Sequence, residues 1–291
     1  MLRFLHHLRM AFWRAFEHDA FAVAKAAAFS AILTLFPAVL VLASILSTSN
    51  TTETFFREMY RAVGRILPEG TSSAVLQYFT ANKPVRMKLL VTTSIFTLWT
   101  ASGVMISWME GFRKAYQMPK VWGLVKERLI ALLLVVLAGL PMAFASFLIA
   151  FGNQIERWAV YHAGHQFDPY ILGLWTAVRW IIAGLTSIAV IALVYHHGVP
   201  RTQPWHRVLP GSALATALWF ISTVLFGFYL RRYANYDVIY GSVGTAIVLL
   251  IWLYLVSMVV LIGAEFNSLR YPRFLFGAHS EIHPEKRVQA S

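Results

Sequence analysis

The stretch YGSVGTAIVLLIWLYLVSMVVLIGAEFNSLR, residues 240–270, decides the fold class of this chain. It exceeds the roughly 20 apolar residues that a helix needs to cross the hydrocarbon core of a bilayer. A crossing that begins near Val243 ends near Ile262, which places Glu265 at the membrane interface. The helix dipole disfavours a carboxylate at a helix C-terminus. The sequence therefore predicts a transmembrane helix and a partner for Glu265.

Composition extends this prediction to the whole chain. Hydrophobic residues make up 58% of the 291 residues and charged residues 13%, whereas soluble domains have about 45–50% and about 25%. A soluble globule cannot bury so much apolar surface, so composition indicates a polytopic membrane protein. The chain has no cysteine, which excludes disulfides, thiolate catalysis and cysteine-bound metals.

Six segments are long and apolar enough to be transmembrane spans. They are about 24–47, 88–109, 129–151, 172–195, 209–230 and 241–265. Each is predicted to be helical, because an open sheet in lipid leaves backbone groups unpaired. The predicted fold class is all-α: one bundle of six transmembrane helices within a single domain, 1–275, followed by a polar cytoplasmic tail, 276–291.

Two amphipathic segments are predicted to lie on the membrane surface. Residues 2–17 place Leu5, Leu8, Phe12 and Phe16 at helical spacing, with basic residues between them. Residues 53–67 combine an apolar face with three arginines that recur every fourth residue. Guanidinium groups bind planar oxyanions well, so these arginines are candidate contacts for lipid headgroups, with a solvated helix face as the alternative. The three are Arg57, Arg61 and Arg65.

The distribution of lysine and arginine predicts the orientation. If the N-terminus is cytoplasmic, fifteen of the 25 Lys and Arg residues lie on the cytoplasmic side, nine lie outside, and Arg179 lies within a span. Cytoplasmic loops of membrane proteins are enriched in these residues, so both termini are predicted to be cytoplasmic. No dense basic cluster combines with aromatic residues as in a nucleic-acid surface, so the net charge of +12 does not indicate nucleic-acid binding.

Three passages together resemble the BrkB/YihY-like family of bacterial inner-membrane proteins. They are KAAAFSAILTLFPAVLVLASIL at 25–46, ASGVMISWMEGFRKAY at 101–116, and YGSVGTAIVLLIWLYLVSMVVLIGAEFN at 240–267. The resemblance implies six transmembrane helices and a location in the bacterial inner membrane. That family is named after a virulence factor tied to resistance to serum killing, and its members were long labelled ribonuclease BN. The resemblance supplies no catalytic residue.

The residues themselves indicate no enzyme. Paired carboxylates at ligand spacing, a Gly-rich phosphate loop and a nucleophile elbow are all missing from the sequence. The histidine pairs His162–His165 and His279–His283 are best explained as solvated residues of a loop and the tail. The sequence therefore predicts no catalytic residues, no metal site and no cofactor.

Several polar residues are candidates for functional or inter-helix contacts. Arg179, within the fourth span, either reaches lipid headgroups or lines a polar cavity open to the outer side. The others share the cytoplasmic membrane depth and form a predicted charge ring, in which Lys25 and Arg113 are the expected partners of Glu265. The members of this ring are Asp19, Lys25, Glu110, Arg113, Glu265 and Asn267.

Small residues spaced four apart predict where helices approach closely. The pairs are Ala24–Ala28, Gly139–Ala143, Gly211–Ala215 and Gly241–Thr245.

Two functions are compatible with these features. The first is movement of a lipid or other amphiphile across or within the membrane, with membrane lipids as partners. The second is a non-transporting, virulence-related scaffold that binds other envelope proteins. A ribonuclease remains only as the label inherited from the family.

Overall fold

The structure is a computed structural model, and it describes residues 2–46, 87–163, 168–233 and 242–270. The arginines Arg57, Arg61 and Arg65 and the predicted tail lie outside the described residues. Within the described ranges every regular element is an α-helix. The helices are α1 (Leu2–Glu17), α2 (Ala20–Leu46), α3 (Met87–Ala115), α4 (Leu124–Ala163), α5 (Asp168–His197), α6 (Trp205–Tyr233) and α7 (Ser242–Arg270).

Six of these helices are long and apolar enough to cross a membrane, which confirms the all-α fold class. The apolar segments are Ala20–Val41, Leu90–Ala115, Leu124–Ala145, Ala177–His197, Trp205–Leu230 and Ala246–Arg270. Their boundaries differ from the predicted spans at both ends of the bundle. The helix from Met87 ends at Ala115 instead of near 109, and the helix from Leu124 ends at Ala163 instead of near 151.

The sixth helix differs at its start. The corresponding predicted span starts at about 209, whereas α6 begins at Trp205 and contains Pro210. Proline at an interior helix position removes a backbone donor and disturbs the preceding turn. Such a turn persists in a membrane protein when neighbouring groups pair with the disturbed backbone. In α6 the side chain of Asn267, from α7, hydrogen-bonds to the backbone of this turn.

The chain turns sharply between α1 and α2 at Asp19. This residue has a φ of 56°, the left-handed conformation that aspartate adopts more readily than most residues. Its carbonyl accepts hydrogen bonds from the backbone N–H groups of Ala22 and Val23 at 3.0 and 3.2 Å, which starts α2.

The first helix has two different apolar faces. Ala11 and Ala15 are fully buried, and α1 packs mainly against α7. The large side chains Leu5, Phe12 and Phe16 are exposed on the outside of the protein. The predicted helix at 2–17 is therefore confirmed: Ala11 and Ala15 attach it to the bundle, and its large apolar side chains stay exposed.

One end of the bundle contains most of the buried core, and we call it the polar end. Here α2, α4 and α6 begin and α3, α5 and α7 end. Helix α7 lies at its centre, in contact with α1, α2, α3 and α6. Residues 258–268 of α7 are all buried. Tyr195 of α5 donates a hydrogen bond to the carbonyl of Val260 at 2.5 Å, which links α5 to this buried segment.

Helices α6 and α7 approach most closely at two glycines. A Cβ atom on Gly211 would lie within 3.0 Å of the Gly263 carbonyl oxygen, and one on Gly263 would clash with Gly211 in turn. Ala215, fully buried one turn after Gly211, continues this contact. The predicted close approach at Gly211–Ala215 is therefore confirmed, and sequence reasoning did not identify Gly263 as its partner.

The other pairs of small residues have different outcomes. Ala24 and Ala28 are buried in α2, as predicted. The prediction for Gly139–Ala143 is wrong, because a Cβ on Gly139 would meet no atom within 4 Å and Ala143 is exposed. Gly241 and the Thr245 side chain lie outside the described residues.

The glycine contact predicts a difference between two substitutions in α6. Gly211→Ala should lower the free energy of unfolding by about 1–3 kcal/mol, since the added methyl group meets the Gly263 backbone and the buried, hydrogen-bonded amide of Asn267. Gly227→Ala is the matched control, because its Cβ would meet nothing within 4 Å. Thermal unfolding of both purified variants in detergent measures the difference. Equal melting temperatures of the two variants would contradict the close contact between α6 and α7 at Gly211.

Candidate functional site

The buried carboxylate of Glu265 pairs with a histidine from the N-terminal helix region. Glu265 is 2% exposed, and its Oε1 lies 2.6 Å from Nδ1 of His18. Ser268, one turn further along α7, donates a hydrogen bond to the Glu265 carbonyl at 2.9 Å. The prediction that Glu265 has a partner is thus confirmed. The prediction that Lys25 or Arg113 is this partner is wrong. His18, which immediately follows α1, contacts the carboxylate instead.

The residues expected as partners lie elsewhere at the polar end. Lys25 is exposed on α2 and makes no ion pair with any described residue. Arg113 Nη1, at the end of α3, lies 3.3 Å from Oε1 of Glu127 in the first turn of α4. Glu127 is buried, and its second oxygen lies 3.3 Å from Lys120 Nζ. This ion pair therefore joins α3 to α4 instead of reaching α7.

Sequence reasoning missed Glu127, although a signal for it was present. The residue follows the basic segment that connects α3 and α4, and it lies in a first helical turn. The helix dipole favours a carboxylate at that position. An acidic residue there, next to a loop with a lysine and close to Arg113 in sequence, could have been identified as its partner.

Glu110 takes part in an exposed group of charges. Lys114 Nζ lies 3.9 Å from Glu110 Oε1 and 3.6 Å from Asp19 Oδ2. All three side chains are substantially exposed, and such pairs contribute about 0–1 kcal/mol. The predicted ring is therefore divided into a buried contact at Glu265, a pair between α3 and α4, and this exposed group.

Asn267 is fully buried and binds the turn of α6 that contains Pro210. Its Oδ1 accepts a hydrogen bond from the Gly211 N–H at 2.7 Å, and its Nδ2 donates to the Val208 carbonyl at 3.0 Å. The amide thus supplies an acceptor and a donor on either side of the proline. It therefore joins α7 to the backbone of the turn that contains the proline, beside the contact of the two glycines.

Tyr116 completes the buried polar group at this end. It lies just after α3, and it is buried near Asn267 and Glu265. Burial raises the pKa of the Tyr116 hydroxyl above its ordinary value, and the Glu265 carboxylate contributes further to this rise. Tyr116 therefore remains a neutral phenol at physiological pH.

Arg179 lies far from the polar end. It is half-buried on α5, eighteen residues before the helix ends at His197, which corresponds to about 27 Å along the helix. Three acidic residues that the predicted topology places on the outer side are candidate partners of Arg179, but their side chains lie outside those that the structure describes: Glu156, Asp168 and Asp237. The outer cavity predicted at Arg179 therefore stays a prediction.

A cavity of about 370 Å³ lies in the middle of the bundle, and residues of all six spanning helices line it. Its walls are apolar, and they include Ala101 of α3, Ala138 and Gly139 of α4 and Val256 of α7. The cavity has the size of a small-molecule pocket, about 300–1,000 Å³. Gly139, whose missing side chain leaves this space open, is here a lining residue rather than a packing contact.

Two tryptophans contribute apolar ring surface to this cavity. Trp108 of α3 and Trp219 of α6 line its wall. Both indole Nε1 atoms are buried behind the cavity surface, and neither has a hydrogen-bond partner among the described residues. The two lining hydroxyls, on Thr34 and Ser187, instead donate to carbonyls of their own helices at 2.7 and 2.8 Å. No charged side chain lines the cavity among the described residues.

The described residues contain no group of three or more metal-ligating side chains. The candidate site consists of the buried polar contacts at the polar end and the apolar, ligand-sized cavity next to them.

The His18–Glu265 contact predicts a loss of stability when the carboxylate is replaced. Glu265→Gln should lower the free energy of unfolding by about 1–3 kcal/mol, because a buried, charge-assisted hydrogen bond is weakened. Glu110→Gln is the control, since this residue is exposed and its substitution should change stability by less than about 0.5 kcal/mol. Tryptophan fluorescence during heating measures both. Equal stability of both variants would contradict a structural role for Glu265.

The contact between Asn267 and the Pro210 turn predicts that the two residues are energetically coupled. Asn267→Ala should destabilise the protein strongly, because the Gly211 N–H and the Val208 carbonyl lose their partner. In a Pro210→Ala background the helix can supply these partners itself, so Asn267→Ala should cost less by about 0.5–3 kcal/mol. A double-mutant cycle of unfolding free energies measures this coupling. Additive effects would show that the amide does not compensate for the proline.

Comparison with known proteins assigns the chain to a family. The family described as virulence factor BrkB matches residues 11–288. A ribonuclease-like protein of Bacillus subtilis, YfkH, is 32% identical over 62% of this chain and 64% of its own length. A UPF0761 membrane protein of Tolumonas auensis is 26% identical over 88% of this chain and 83% of its own length. A UPF0761 membrane protein of Chlorobium phaeobacteroides is 28% identical over 88% and 55%.

The chain thus covers less than two thirds of the length of the Bacillus and Chlorobium relatives. No solved structure matches it. The family match extends over nearly the whole chain and includes all six candidate spans. The chain belongs to the BrkB family of multi-pass membrane proteins.

Proposed function

We propose that this protein moves a lipid or another amphiphile across or within the bacterial inner membrane, with both termini in the cytoplasm. The observation that supports this function is the central cavity, since a ligand-sized space with apolar walls suits an acyl chain and disfavours a hydrated solute. Its walls belong to all six spanning helices. A small movement of any helix therefore changes the volume and access of the space.

The polar end supports the same function. The core of the bundle is concentrated there, and Asn267, Tyr195 and Glu265 tie the helix ends together. A bundle that is firmly joined at one end can change the spacing of its helices further along. Such an arrangement suits a protein that admits an amphiphile from the membrane.

The alternative is a scaffold that binds other envelope proteins. The exposed aromatic side chains of α1, Phe12, Trp13 and Phe16, are the feature that favours it. They could contact a partner as well as lipid. A scaffold requires no passage for lipid, so a transport assay separates the two functions.

The assay uses purified protein in liposomes that contain a fluorescent phospholipid in both leaflets. A membrane-impermeant reductant bleaches the outer leaflet, and further loss of fluorescence measures transfer from the inner leaflet. We expect loss beyond the outer-leaflet fraction only when the protein is present. Traces equal to those of protein-free liposomes, for phosphatidylethanolamine and for phosphatidylglycerol, would refute lipid movement and favour the scaffold.

Two glycine variants link the transfer to the cavity. Gly139→Leu adds a large side chain at the cavity wall, at a position where a Cβ atom meets nothing within 4 Å. It should slow transfer about tenfold or more, equivalent to about 1.4 kcal/mol in the barrier. Gly184→Leu is the matched control, because its Cβ is equally unobstructed but Gly184 does not line the cavity. Equal rates in both variants would place the transfer route elsewhere.

A further inference from the structure

The exposed apolar face of α1 continues onto a spanning helix. Phe12, Trp13 and Phe16 are exposed on α1, and the rings of Trp13 and Phe16 stack with their centroids 6.5 Å apart. The Phe16 ring in turn contacts the ring of Phe21 in α2 edge to face, at 5.5 Å. Phe21 belongs to the apolar segment Ala20–Val41, which is long enough to cross a membrane. The apolar faces of α1 and α2 therefore form one surface.

The exposed side of α2 shows what this surface contacts. Four large apolar side chains follow one another at helical spacing along it, and all are exposed: Phe21, Phe29, Leu33 and Phe36. Because the chain is a multi-pass membrane protein, this side of a spanning helix contacts lipid. At the polar end, where α2 begins, α1 extends the same surface. The apolar face of α1 therefore lies at the boundary between hydrocarbon and headgroups.

Arg9 lies in the middle of the α1 part of this surface. Its neighbours one helical turn away, Leu5, Phe12 and Trp13, are exposed apolar side chains. Its guanidinium group forms no ion pair with any residue that the structure describes. A cation with apolar neighbours at the membrane boundary is stabilised by an anion at the same depth, and guanidinium binds phosphate oxygens well.

Lys25 has the corresponding position on α2. It is exposed one turn after Phe21 and one turn before Phe29. As stated above, it makes no ion pair with the described part of the chain. A lysine at this depth extends its apolar stem along the lipid-facing surface and its ammonium group toward the headgroups. A lipid phosphate can pair with it there.

The nearest carboxylates in sequence have other partners. Glu17 accepts a hydrogen bond from Trp13 Nε1 at 2.7 Å. Asp19 Oδ2 lies 3.6 Å from Lys114 Nζ. The two cations on the lipid-facing surface therefore match an external source of negative charge.

We propose that Arg9 and Lys25, together with Trp13, Phe16 and Phe21, form a docking surface for anionic phospholipids in the leaflet at the polar end. The aromatic rings lie at headgroup level, and the two cations attract lipids with a net negative charge in preference to zwitterionic ones. This surface is separate from the central cavity, and it requires no movement of lipid. It holds α1 from the membrane side, whereas the His18–Glu265 contact holds the same region from the bundle side.

Quenching of Trp13 fluorescence by brominated lipids tests this proposal. The purified full-length protein is placed in liposomes of equal parts phosphatidylglycerol and phosphatidylethanolamine, with bromine on the acyl chains of one lipid or of the other. The emission that Trp13→Phe removes is the signal of Trp13. Brominated phosphatidylglycerol should quench this signal more strongly, because each cation enriches the anionic lipid about fivefold, equivalent to about 1 kcal/mol.

Charge removal separates recognition of the headgroup from insertion of the rings. In the double variant Arg9→Gln and Lys25→Gln, both brominated lipids should quench Trp13 equally. Added salt should weaken the wild-type preference, since it screens the attraction. Lys126→Gln is the matched control, because Lys126 is an exposed cation at the same end on α4, whereas α1 packs against α7 and α2. It should retain the full preference.

Three results would overturn the proposal. Equal quenching of wild-type Trp13 by both lipids would show that the rings insert without recognition of charge. A preference that survives the double variant would assign the recognition to other residues. Absence of quenching by either lipid would place the face of α1 away from the membrane, and it would favour a protein partner for this face.

Discussion

The close contact between α6 and α7 at Gly211 and Gly263 is the constraint on which the rest of the bundle depends. Two helix backbones can approach this closely only where neither residue has a side chain. The approach brings Asn267 within hydrogen-bonding distance of the α6 backbone, and it places Gly263 against Tyr195 of α5. These contacts of glycine, asparagine and tyrosine thus fix α5, α6 and α7 relative to one another.

The same contact region contains a proline in the interior of a membrane helix. Pro210 disturbs the backbone pairing of its turn, and the Asn267 side chain pairs with that backbone instead. In a hydrocarbon environment, side-chain hydrogen bonds of this kind specify which helices are neighbours, because apolar burial alone distinguishes poorly between helices and lipid. The buried polar residues near the polar end therefore determine which helices are neighbours, whereas the exposed apolar residues contribute little to this choice.

Much of the fold could be predicted from the sequence, because a spanning helix is encoded locally by length and hydrophobicity. The position of Glu265 at the end of α7 also follows from counting residues. Its partner could not be predicted in this way, since His18 lies 247 residues away and depth alone made Lys25 and Arg113 equally reasonable. The role of Gly139 shows the same limit. A small residue can admit a neighbouring helix or leave a cavity, and the packing of six helices decides between them.

The pairing of His18 with Glu265 also bears on the order in which the protein assembles. The chain is made from its N-terminus, so α1 is complete long before α7 exists, and the two contacting residues are separated by 247 positions. Until the last helix has inserted, Ala11 and Ala15 have no α7 surface to cover them. The exposed aromatic side chains of α1 can hold it at the lipid surface during this interval. The docking of α1 is therefore a late, non-local step of folding, and it closes the bundle only after every span is in place.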